Sequence, residues 1–72
     1  MAAIRIQDVQ PRAQTALASS PVYELRELQV GHCGESLLIS GAVSSFYHKQ
    51  LAQEVVRSVC EGAEVVNSIR VE

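Results

Sequence analysis

Ser36-Leu37-Leu38-Ile39-Ser40-Gly41-Ala42-Val43-Ser44-Ser45 is the stretch on which the fold turns, because the apolar period changes at its end. Up to Val43 the period is two. Leu37, Ile39, Gly41 and Val43 fall on one side, and Leu38, Ser40 and Ala42 on the other, which predicts a strand with one core face and one wetter face. After the serines the period becomes helical, with Leu51, Ala52, Val55, Val56 and Val59 on one stripe and Lys49, Gln50, Gln53, Glu54 and Arg57 around it. Ser44 and Ser45 are the candidate N-caps. Gly41 inside the strand predicts a bulge or a close approach, here by a helix.

Working forward, Glu61-Gly62 reads as the stop of that helix, with glycine free to take the left-handed angles a helix end needs. The segment 64–72 then alternates Val65, Asn67, Ile69 and Val71 against Val66, Ser68 and Arg70, as a final strand. A strand that reaches the next strand through a helix makes a crossover, right-handed if the two are parallel. Strand order stays open at this level.

Working backward, Gly31-His32-Cys33-Gly34 predicts a tight turn joining two strands as a hairpin. The preceding strand is expected over 22–30. Its apolar parity shifts between Tyr23/Leu25 and Leu28/Val30, which predicts a bulge or bend near Arg26. Before it, a helix is expected from about Val9 to Ser19, capped by Asp8, with Pro11 in the first turn and Val9, Ala13, Ala16 and Leu17 inward. Ser19, Ser20 and Pro21 end it. Residues 1–7, where Ile4 and Ile6 alternate, read as an N-terminal arm, and 8–72 as one domain. The expected fold is therefore α+β, in the order α-β-β-α-β, with two helices on one face of a small three-stranded sheet.

At 72 residues, 47% of them hydrophobic and 19% charged, the chain has material for one core. Its few aromatics, Tyr23, Phe46 and Tyr47, leave that core to Val, Leu, Ile and Ala. A formal charge of −2 and singly scattered cations (Arg5, Arg12, Arg26, Lys49, Arg57, Arg70) argue against nucleic-acid binding, which gathers cations on one face. The opening Met1-Ala2-Ala3-Ile4-Arg5 shows no secretory signal and no run long enough to cross a bilayer, so the chain as written is expected to be cytoplasmic, or an excised domain. Cys33 and Cys60 are expected to be free thiols.

Chemistry-bearing motifs are sparse. His32, Cys33, His48 and Cys60 lack paired metal-ligand spacing, so no metal or other cofactor is expected. His32 reads as a turn residue and His48 as a solvated residue of a first helical turn. The serines read as caps and strand faces, and the glutamates as surface charges, which leaves no nucleophile or acid–base pair and predicts no enzyme activity. A chain of this size also has little room for a pocket of several hundred Å³. The GxxG string at 31–34 would have to join two helices to clamp a nucleic-acid backbone, and here it joins two strands.

With that pattern assembled, the chain resembles a BON domain, a small module named after bacterial osmotic-stress and nodulation proteins. The residues that carry the resemblance are 37–43 with Gly41, then Leu51-Ala52, Val55 and Val59, then Gly62, and finally 65–71 with Asn67. Ala63 stands where the family usually has valine. The resemblance implies two helices on a small sheet, structural roles for Gly41, Gly62 and Asn67, no catalytic residue, and interaction with phospholipid membranes, often in the periplasm and in tandem copies. Phe46, Tyr47, His48 and Lys49 are the expected binding patch, aromatics beside a cation being suited to an interface. Phe46 could instead cap the core. The second expected class is a protein partner or a homo-oligomer, using Leu38, Ala42 and Val66 on the open sheet face.

Overall fold

A computed structural model describes residues 5–60 and 62–72. The helix α1 (Ile6–Ala18) is followed by a 3₁₀ helix (Tyr23–Glu27), β1 (Gln29–Cys33), β2 (Ser36–Ser40), β3 (Ala42–Val43), α2 (Phe46–Val59), β4 (Glu64–Asn67) and β5 (Arg70–Val71). The expected α+β architecture is present, with both helices on one face of a three-stranded sheet.

The strand order is β1-β2-β4, with a short β3-β5 pair beside it. β2 is central. It pairs antiparallel with β1, Val30 against Ile39, and parallel with β4, Ile39 against Asn67. α2 makes the parallel crossover. The inward side chains of β2, Leu37 and Ile39, are fully buried among Leu17, Leu25, Leu28, Val56 and Ile69.

Several expectations need correction. The first helix begins at Ile6, not Val9. Arg5 is its N-cap, its carbonyl accepting from the N–H groups of Asp8 and Val9, while Asp8 lies within the first turn, where a carboxylate suits the positive helix end. Pro11 thus falls inside the helix. Of the expected arm, Ile6 and Gln7 are helical, and 1–4 lie outside the described residues.

Residues 22–28 are not a strand. A 3₁₀ helix repeats every three residues, so Leu25 and Leu28 both point inward, and this spacing is what the parity shift signalled. The strand starts only at Gln29. The hairpin turn is correspondingly Gly34-Glu35, with Cys33 paired to Ser36 and Gly34 at φ +62°, so Gly31, His32 and Cys33 belong to β1.

The strand expected over 36–43 breaks at Gly41, and the one expected over 64–72 breaks at Ser68-Ile69. Gly41 has φ +132°, and a Cβ there would lie 2.7 Å from Leu28 Cδ2, so what approaches is a leucine and not a helix. The chain resumes pairing at once, Arg70 N–H donating to the Gly41 carbonyl at 2.9 Å. Finally, Val59, placed on the core stripe of α2, is 37% exposed; Ala52 and Val56 are its fully buried members. Of the expected helix stop, Glu61 lies outside the described residues, and Gly62 has φ +91°.

Both the angle and the contact at Gly41 penalise any side chain. Gly41→Ala is expected to cost about 1–3 kcal/mol, read as a lower urea midpoint with unchanged slope. An unchanged midpoint would contradict the reading.

Candidate functional site

The start of α2 is fixed by Ser45, whose Oγ accepts from the His48 N–H at 3.2 Å while its carbonyl accepts from the Lys49 N–H. Counting back from Ala52 and Val56 in steps of three and four reaches His48 and Lys49, which are half-buried. Phe46 and Tyr47 lie off that stripe. They are 75% and 69% exposed, so Phe46 does not cap the core. The Tyr47 and His48 rings meet tilted, with centroids 5.6 Å apart.

His48 is not freely solvated, because the 3₁₀ helix delivers Glu24 to it. One Glu24 carboxylate oxygen accepts the Ser44 backbone N–H at 2.6 Å, and the other accepts the Ser44 hydroxyl, also at 2.6 Å. His48 Nδ1 approaches that second oxygen at 2.9 Å, a close polar contact without the alignment of a good hydrogen bond. Glu24 thereby ties the 3₁₀ helix to the N-terminus of α2. The Ser44 hydroxyl, then the Ser44 N–H, hold its carboxyl below the ordinary value, burial opposing them and His48 adding to them.

This clasp ties the chain neighbour of a third aromatic to the start of α2. Tyr23, next to Glu24 in the chain, is 71% exposed, so every aromatic of the chain is exposed and lies within two residues of the Glu24–Ser44–His48 cluster. Sequence reading missed Tyr23 and Glu24, having placed them on a strand. The signal was there in the three-residue spacing of Leu25 and Leu28.

Asn67 supports the corner from the sheet. Its Nδ2 donates to the Lys49 carbonyl at 3.0 Å and to Gln53 Oε1 at 3.2 Å, and its Oδ1 accepts the Ile69 N–H at 3.1 Å. It therefore pins the second turn of α2 and bends the chain between β4 and β5. Gly41 and Gly62, both at positive φ, have backbone roles.

Elsewhere the chemistry is thin. Among the described residues no three His, Cys, Asp or Glu side chains gather as a metal site would require. Cys33 is an exposed free thiol; Cys60 is buried, its Sγ–H donating to the Val9 carbonyl, and burial pushes its thiol up while Arg12 pulls the other way. Against the expectation of little room for a pocket of several hundred Å³, α1 and α2 leave an open groove of about 530 Å³, lined by Pro11, Arg12, Thr15, Ala16, Ser19 and Val59. No helix among the described residues is long and apolar enough to cross a membrane.

Compared with known proteins, the chain matches no protein-family model and no curated protein.

A carboxyl held below 4.5 in the folded chain contributes stability that is full above that value and lost as pH falls through the lowered one. Glu24→Gln is therefore expected to lower the urea midpoint at pH 7 and to match wild type at acid pH, where Glu24 is protonated in both states. A gap that persisted unchanged into acid would contradict the clasp.

Proposed function

We propose that the chain is a non-enzymatic binding module of the BON type that docks on a phospholipid interface through Tyr23, Phe46 and Tyr47. The observation that carries this is the exposure of all three aromatics, each within two residues of the Glu24–Ser44–His48 cluster, in a chain whose described core holds no aromatic side chain. An exposed phenylalanine loses hydrophobic stabilisation in water and regains it at a lipid boundary, while tyrosine holds its ring in the acyl region and its hydroxyl among headgroups. Two helices on a small sheet are what the BON resemblance implies. That architecture supports the reading without depending on a catalytic set.

The electrostatics fit a weak, reversible encounter. Glu24 faces the cluster and not the lipid, its oxygens occupied by Ser44 and His48. Lys49 supplies one cation next to the rings, and His48 a second when protonated. One or two cations near a surface contribute about 1 kcal/mol each with anionic lipid. Apolar insertion has to supply the rest, and the rings are the groups able to supply it.

Co-sedimentation with vesicles containing phosphatidylglycerol at low salt is the test. The wild-type chain is expected to pellet, and the Phe46→Ser/Tyr47→Ser variant to lose most of that binding while keeping its fold, since neither ring packs in the core. No pelleting at low salt, or binding unaffected by the double substitution, would refute the docking mode.

A further inference from the structure

The two edges of the sheet are treated differently. On β1, the outward N–H and C=O groups are those of Val30 and His32, and α1 covers the Val30 pair: Gln14 Oε1 accepts the Val30 N–H at 2.9 Å, and Gln10 Nε2 donates to the Val30 carbonyl at 2.9 Å. Gln14 Nε2 also donates to the Leu28 carbonyl at 3.0 Å, so this one amide pairs with the edge as a neighbouring strand would. No chain can pair along Val30 without displacing two glutamines, and among the described residues only His32, beside the turn, is left without such cover.

β4 has no such cover. Ser68 N–H donates to the Ile39 carbonyl, so in the parallel ladder Val66 and Ser68 turn their backbone groups toward β2 and the groups of Val65 and Asn67 point away. Among the described residues no partner meets the backbone N–H or C=O of Val65 or Asn67. Val66, between them, presents its side chain on the open sheet face at 40% exposure, next to half-buried Leu38. An uncovered edge beside an apolar residue is a template for another strand.

We propose that β4 pairs antiparallel with β4 of a second copy of this chain, centred on Val66, joining two three-stranded sheets into one of six strands. In that register Val65 pairs with Asn67 of the second copy and Asn67 with its Val65, so all the outward groups named above are bonded. Val66 meets Val66, and with Leu38 on either side makes a continuous apolar strip. Charge selects the same register. Glu64, one of whose carboxylate oxygens accepts the Ser36 hydroxyl of its own chain at 2.6 Å, lies opposite the second copy's Ser68 and diagonal to its Arg70, within reach of long side chains, and the contact occurs twice. Among the described residues, the partner of Arg70 within its own chain is exposed Glu72 at 3.5 Å. Pairing through β4 leaves the aromatic corner uninvolved, so this inference stands apart from lipid docking.

Sedimentation equilibrium over a wide concentration range tests it, with amide hydrogen exchange as a second readout. A reversible dimer is expected, with the Val65 and Asn67 amides gaining protection as concentration rises. Val66→Lys, on a solvent-facing site, should give a folded monomer. Arg70→Glu should weaken the dimer about fivefold, the loss of two surface ion pairs, and Glu64→Arg/Arg70→Glu should restore it. A monomer at every concentration would overturn the proposal and leave the edge to a strand of another protein; so would a dimer indifferent to Val66→Lys and Arg70→Glu.

Discussion

The structure depends on β2 having a neighbour on each side while two of its side chains supply the middle of the core. Leu37 and Ile39 are fully buried, and the same residues carry the register to both neighbours, Leu37 to His32 and Val65, Ile39 to Val30 and Asn67. A one-residue slip would turn both to solvent and expose Leu38 and Ser40 to the core, so the register is held by burial as well as by hydrogen bonds. Everything else is placed by this strand. The hairpin hangs β1 on one side, and the α2 crossover hangs β4 on the other.

Much of this was legible in the sequence because the relevant signals are local. The switch from period two to period 3.6 at Ser44-Ser45 marks a real boundary, and Ser45 caps α2. Gly41 signals a strand interruption correctly, but its partner, Leu28, lies thirteen residues away and no local pattern names it. The 3₁₀ helix was misread because over five residues a three-residue repeat looks like an alternation that slips. The start of α1 was misplaced because Asp8, a good cap residue, serves a helix already begun at Ile6, whose side chain packs on the core.

The candidate site was legible in half. Phe46 through Lys49 follow from the helix phase, which puts the rings outside and His48 and Lys49 at the margin of the core. Tyr23 and Glu24 join them only through tertiary contact, twenty or more residues away along the chain. The same holds for the glutamines that close the β1 edge, since Gln10 and Gln14 look like ordinary solvent-facing residues of an amphipathic helix. Small domains that cannot enlarge their cores depend on such side-chain to backbone bonds, which replace strand pairing at an edge and helix packing at a corner.

The central claim is that a small aliphatic core leaves the aromatics free for an interface, held in place by Glu24. Backbone amide NMR shifts recorded while anionic bicelles are added test that most directly. Docking through the corner predicts that the signals of Tyr23, Glu24 and Phe46 through Lys49 shift and broaden together while those of β1 hold their positions. Perturbation centred on the α1–α2 groove, or no perturbation at all, would contradict it.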